Sequence, residues 1–452
     1  MNKKSKVSGK FGYFGGIAIL AALLILPPVL LADEGQTAAE SKGNGGGLGG
    51  FFSNLFSGVP AIFQELSPAD VGHKPRIRPH FAFNQGFNSN ARLGDDQHDA
   101  AWQARVAPGI TFSVPSGKLY TEVDYTYAFV TTQGRDTKAN TSTHNINALA
   151  RYSLTEDTTF GVGNNLQFSE VPGEPGKTFV LETAVAQGTH HLGPKLSASV
   201  DDTFQWFRDR SSTDRTTRRH TFSDNGVGAA LAYDVTSDLS VGPAFRWNIR
   251  DFKDVDSKDY WQINPSLVAS YRLGPKTTLG GNFGWVFRDF DIGGHENELV
   301  WGASASHLLG RKLVWSVGYA KTVTDTFDTS FVFREKAEAV PLDNLDRDFR
   351  VLTSHRISSN VMYNFTERQG VGAYGMWQFV DGDREDNVTA RPRENNEKEM
   401  EVGATYVYRF NRYISFDVLY AFGRRFSGDN NASGGRPDYT YHKATAGVSL
   451  TV

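Results

Sequence analysis

From Leu239 to Phe290 the chain alternates apolar and polar residues with period two. Val241, Pro243, Phe245, Trp247 and Ile249 share one parity, and Gly242, Ala244, Arg246, Asn248 and Arg250 share the other. A second run sets Trp261, Ile263, Pro265, Leu267, Ala269, Tyr271 and Leu273 against Gln262, Asn264, Ser266, Val268, Ser270 and Arg272. The chain turns at Gly274-Pro275-Lys276 and returns with Leu279, Gly281, Phe283, Trp285 and Phe287 on the apolar parity. Period two means strands with two unlike faces. Each run is about 11–13 residues, the length of a tilted strand that crosses a bilayer, whereas soluble strands are usually about 5–6. Aromatic residues on the apolar parity suit the interfacial girdles of a lipid-facing wall, and Gly, Ser, Asn, Gln and Arg on the other parity suit a wet interior.

The same grammar runs from Arg76 to the last residue. Tight turns are expected at 115–118, 154–157, 192–195, 235–238, 274–276, 309–312, 365–368 and 410–413, with polar connections at 132–142, 209–219, 326–348, 380–397 and 427–437. Eight turns make hairpins of sixteen strands, and a strand at Arg76–Asn88 and another from Tyr439 bring the total to about eighteen, an even number as such barrels require. The reading is all-β: a transmembrane antiparallel β-barrel with short periplasmic turns and long extracellular loops, wide enough for an aqueous lumen. A propeller of similar repeat length would need four short strands per repeat, where this chain has two long ones.

Ahead of the barrel (73–452) two segments differ in character. Lys3, Lys4, Lys6 and Lys10 precede an apolar run from Gly15 to Leu31, and residues 1–32 read as a secretory signal ending at Ala32. Pro27-Pro28 breaks that run, which disfavours a retained anchor. Residues 33–72 read as a Gly-rich periplasmic lead with a short amphipathic segment, Phe51 to Leu66, interrupted by Pro60.

Composition narrows the reading further. Hydrophobic residues are 39%, aromatic residues 13% and glycines 46, which fits a β-wall better than a bundle of membrane helices. The net charge of −3 implies no nucleic-acid partner. The chain has no cysteine, which excludes thiolate chemistry and cysteine-ligated zinc.

The stretch from Arg76 to Glu170 resembles the β-barrel porin 2 family of exopolysaccharide-associated outer-membrane barrels. The resemblance is carried by Phe87-Asn88-Ser89-Asn90, Arg105 to Phe112 with its Pro108-Gly109, Leu119-Tyr120 to Asp124-Tyr125, His144 to Leu149, and Tyr152-Ser153-Leu154. It implies a barrel of the bacterial outer membrane with a link to polysaccharide secretion, in contact with outer-membrane lipids, lipopolysaccharide and components of a polysaccharide export machine. It implies no catalytic residue and no cofactor.

Chemistry hidden in the wall is thin. His144 with Ser142 and His355 with Ser354 are the candidate catalytic pairs, and as strand neighbours they are expected to point to opposite faces. The acidic stretch Asp381 to Asp386 and the aspartates Asp343, Asp346 and Asp348 lack the ligand spacing of a calcium loop and read as solvated loop residues, so no metal site is expected. The inward parity holds Arg105, Arg151, Arg246, Arg250, Arg272, Arg288, Arg356 and Arg409, together with Glu122, Asp124, Glu182, Asp201, Glu298, Glu401 and Asp417. These charges either form ladders that hold the wall or select solutes in a constriction. Asp202 falls on the lipid parity beside Phe204 and Trp206, which suggests a local register slip. Three functions stay open: a porin-like channel for hydrophilic solutes or part of exopolysaccharide export, a structural or docking barrel without an open pore, and an outer-membrane barrel enzyme.

Overall fold

The computed structural model describes residues 75–89, 100–134, 138–170, 178–209, 221–253, 259–291, 294–310, 312–324, 349–384, 393–427 and 439–452. The signal, the lead, Asp343, Asp346 and most of the loop-end connections lie outside them; Asp348 does too. The described residues form strands β1 (Arg76–Asn88), β2 (Ala101–Ser116), β3 (Leu119–Gly134), β4 (Lys138–Ser153), β5 (Thr158–Glu170), β6 (Thr178–His191), β7 (Leu196–Asp209), β8 (Phe222–Asp234) and β9 (Leu239–Phe252). The second half continues with β10 (Tyr260–Arg272), β11 (Thr277–Phe290), β12 (Gly294–Leu309), β13 (Leu313–Thr324), β14 (Phe349–Asn364), β15 (Gln369–Arg384), β16 (Arg393–Arg409), β17 (Ile414–Ser427) and β18 (Tyr439–Thr451).

Each strand pairs antiparallel with its sequence neighbours, and β1 also pairs with β18, from His80 opposite Thr451 to Asn88 opposite Lys443. This closes an 18-stranded barrel. All eight short turns fall where the turn residues placed them. Gly274 takes φ 74° and Gly310 φ 68°, values that favour a residue without a Cβ. Strands run further than the polar composition suggested at two loops. β3 and β4 leave only 135–137 between them, and β15 carries Asp381, Gly382, Asp383 and Arg384 in its ladder. Backbone pairing there overrides the low strand propensity of Asp, Asn and Gly.

Side chains obey the alternation. Along β9, Phe245, Trp247 and Ile249 are 39–44% exposed, whereas Ala244, Arg246 and Arg250 are 4–9% exposed. The exposed set is the outer face and the buried set lines the interior. Outward residues on other strands are likewise large and apolar, including Phe81, Phe83, Phe283, Trp285, Trp377 and Leu450. A water-soluble barrel does not carry such a belt. The closed ladder leaves no unpaired edge for the hydrocarbon to meet. One place breaks the rule. The β12–β13 ladder stops at Trp301–Lys321. Above it Val323 packs on the inward Tyr260 and Phe290, and Lys321 reaches the inward Glu298 at 2.8 Å.

Candidate functional site on the inner wall

The inner wall is built as rows across neighbouring strands. In one row Asp201 of β7, Gly228 of β8 and Arg246 of β9 stand side by side. Arg246 Nη1 donates to Asp201 Oδ2 at 2.7 Å, across the middle strand. The reach exists because Gly228 has no side chain: a Cβ there would strike the Asp201 carboxylate. The same device recurs where Tyr441 of β18 crosses Gly423 of β17 and donates its hydroxyl to Glu401 of β16. On β2, Gly109 seats the imidazole of His80, whose Nε2–H donates to Asp124 of β3 at 2.8 Å.

Two arginines of the basic sector, Arg246 and Arg250, are thereby paired with acids. Arg250 bonds Asp224 at 2.7 Å through Nε and through Nη2, and its guanidinium lies 4.7 Å from the Phe222 ring centroid. Arg288 donates twice to Gln262 Oε1, at 3.0 and 2.7 Å, and stands 4.3 Å over Tyr260. Across the wall Glu122 accepts from Arg78 at 2.8 Å and from Tyr120 at 2.6 Å, and Asp124 also accepts from Thr111 and Thr126. A strongly basic sector facing a strongly acidic one is therefore not what the wall presents. Arg246, Arg250 and Glu122 each face a near partner of the opposite sign, Asp124 accepts from His80, Thr111 and Thr126, and Arg288 is met by the neutral Gln262 amide oxygen.

At the loop end the inward face is aromatic. Phe179, Leu181, Phe207, Phe222 and Phe252 are each at most 6% exposed, with successive ring centroids 5.6–5.8 Å apart. Tyr260 and Phe290 extend the band. Sequence reading missed this arc because β6 is apolar on both parities, and Phe207, Phe222, Phe252 and Phe290 fall on the parity otherwise held by polar or small residues.

Fourteen of the fifteen charges expected on the inner parity lie there, and Glu182 does not. Glu122, Asp124, Arg246, Arg250 and Arg288 are held as described. Arg105 and Arg151 are half-buried on the wall, and Arg356 stands exposed on β14. Arg272 and Arg409 belong to the short-turn rim, where Arg272 Nη2 donates to the Ser237 carbonyl at 3.0 Å. Two expectations need correction. Glu182 points outward: its row partner is Trp206, while the inward Leu181 pairs with Phe207. Asp202 sits in an unbroken register between Ala186 and Val227, so no slip turns it inward.

The candidate catalytic pairs do not assemble. Ser142 and His144 are two positions apart and share the outward parity, so the opposite-face argument fails for them. What occupies His144 is Tyr125, whose hydroxyl lies 2.9 Å from Nδ1. His355 meets Tyr319 at 2.7 Å, and Ser354, on the inner face, accepts from Gln378 at 2.9 Å. Tyr420 and His442 repeat the outward Tyr–His pairing at 2.8 Å.

A closed antiparallel wall with an apolar exterior and a polar, charge-paired interior defines a porin-type β-barrel of the outer membrane. No family model matches the sequence, and no curated protein matches it. Among solved structures, Pseudomonas aeruginosa OccK5 (OpdH) is 13% identical and covers 83% of this chain and 98% of its own, with a TM-score of 0.47. P. aeruginosa OpdK, solved with vanillate, is 14% identical over 83% of this chain and 99% of its own, also at 0.47. The P. aeruginosa siderophore receptor PirA is 9% identical over 84% and 81%, at 0.43. The barrel is defined by its own strand registers, independently of these likenesses.

Proposed function

We propose that this barrel is a channel through which small hydrophilic solutes cross the bacterial outer membrane. The observation that carries the reading is the inner wall: eighteen strands enclose a face of paired charges and amides, and a wall of that strand number leaves an aqueous lumen. Fixed pairs such as Arg246–Asp201 present alternating dipoles to a passing solute instead of one net sign. The reading therefore expects weak ion selectivity. Purified protein inserted in a planar bilayer should give discrete conductance steps with a reversal potential near zero under a salt gradient. Absence of steps from protein that is folded by heat-modifiability would favour a structural or docking barrel. A role in exopolysaccharide export rests on the resemblance alone. Two of the positions that carry the resemblance have other work in the wall, since Gly109 seats His80 and His144 bonds Tyr125.

A further inference from the structure

The apolar outer wall ends at a definite height, and the charges beyond it differ in sign around the barrel. In β3–β4, β13–β14 and β17–β18 alike, the outward Tyr–His pair joins a tyrosine six positions after the start of one strand to a histidine nine positions before the end of the next. On the periplasmic side of that histidine the outward residues are Ile146, Ala148 and Ala150 on β4, and Ala444, Ala446 and Val448 on β18; towards the loops come Ser142 and Thr440. Here hydrocarbon gives way to head groups. Beyond this border the outward charges of β9 and β11 are acidic, Asp251 and Asp289, and Asp289 is met by His295 at 2.6 Å and by the Trp261 indole N–H at 3.1 Å. On β16 and β17 they are basic. Lys398 stands eleven positions from Arg409 and Arg424 ten from Ile414, so both lie just beyond the border. They are diagonal neighbours, since Lys398 is opposite Phe426 and Arg424 opposite Met400. Both are exposed, and neither has an acidic partner among the described residues. The nearest outward acid in the register, Asp381 of β15, lies one row closer to the loops and makes no bond to Lys398. Each cation rests on a ring: Lys398 Nζ is 5.8 Å from the Phe379 centroid, and the Arg424 guanidinium is 4.3 Å from that of Phe426.

We propose that Lys398 and Arg424 bind the phosphorylated head group of an outer-leaflet glycolipid. Two neighbouring cations repel each other, and the protein sets no acid between them, so an anion from outside is what offsets the repulsion. A phosphate fits the pair: the guanidinium offers parallel N–H donors to its oxygens, and the ammonium adds a compact charge. The rings of Phe379 and Phe426 hold the two stems against the wall, which keeps the charges at the lipid border instead of leaving them free to reach into bulk water. Directly below, Trp377, Val402 and Tyr420 are 37–48% exposed and offer the acyl chains an apolar surface. Arg208 of β7 is the contrasting case. It is outward and exposed, but the outward faces of β6 and β8 hold no second lysine or arginine to share an anion with it. The proposal rests on the outer-membrane location of the barrel and is independent of whether the lumen conducts.

The test uses the full barrel, purified in an uncharged sugar detergent with a chelator present, so that no divalent cation bridges lipid to the acidic part of the rim. It is titrated with bis-phosphorylated lipid A and with the same lipid stripped of both phosphates, and bound lipid is read by native mass spectrometry. The phosphorylated lipid should be retained at concentrations where the stripped lipid is not. Lys398→Gln with Arg424→Gln should weaken its binding by about thirtyfold, about fivefold for each cation. Lys398→Arg should preserve binding, Arg208→Gln should leave it unchanged, and millimolar inorganic phosphate should not displace the lipid. Heat-modifiability reports folding throughout, and the comparison of the two lipids on the unaltered barrel stands even if the double variant fails to assemble. Equal binding of both lipids, wild-type affinity in the double variant, an equal loss from Arg208→Gln, or displacement by inorganic phosphate would each overturn the proposal. The last result would mean a bare anion site with no preference for lipid.

Discussion

Gly228→Ala tests whether the inner wall is held by contacts that skip a strand. The new Cβ would lie 2.9 Å from Asp201 Cγ and closer still to one carboxylate oxygen, so the carboxylate must move off Arg246. Arg246 would remain, 9% exposed, with its main partner displaced. Breaking a fully buried ion pair costs about 3–5 kcal/mol. Asp201 keeps a 20% exposed side chain in a wet lumen, so part of that is returned by water, and about 1–3 kcal/mol is the expected loss. Urea unfolding of the purified barrel in detergent, followed by gel mobility, reads it. The same substitution in an Asp201→Ala background has nothing to displace and should cost almost nothing further, a coupling that appears directly in a double-mutant cycle. Gly281→Ala is the control, since its Cβ would meet only the Gly302 carbonyl, at 3.6 Å. Additive costs for Gly228→Ala and Asp201→Ala would refute the strand-skipping account.

Other outcomes follow from the same geometry. Trp247→Arg, on the outer face, should destabilise the barrel by about 2–4 kcal/mol near the midplane, while Ser304→Arg, exposed on the inner face of β12, should leave urea midpoints near wild type. Arg246→Glu with Arg250→Glu would set new carboxylates against Asp201 and Asp224, so the heat-modifiable form should be lost before any change of reversal potential is read. Gly274→Ala, at φ 74°, should cost about 1 kcal/mol in the same unfolding assay.

Strand number, turn positions and the inward placement of Arg246, Arg250 and Arg288 were legible because apolar and polar residues alternate cleanly in β9 to β11. β6 was not legible in the same way. Phe179, Leu181 and Val185 point in while Val180, Ala184 and Ala186 point out, so both parities are apolar and Glu182 has no pattern to assign it. The ion pairs were hidden for another reason. Asp201 and Arg246 are 45 residues apart and meet only when two registers are known and the intervening residue is seen to be glycine. Asp202 looked like an error of register because a lone barrel in lipid has no use for it. The register is regular, and Asp202 stays on the outer parity.

The β1–β18 seam bears on how the wall is made. The Ser89 hydroxyl accepts from the His442 backbone across a separation of 353 residues, and the Val452 amide donates to the Pro79 carbonyl. No local hairpin anticipates these contacts, so the ladder can shut only after the last strand has been delivered to the first. Until then two naked strand edges, β1 and the most recently added strand, are open to pairing with any other chain. Biogenesis of this protein is accordingly a race between closure and edge-to-edge aggregation. A machinery that holds one edge while strands accrue at the other would decide it.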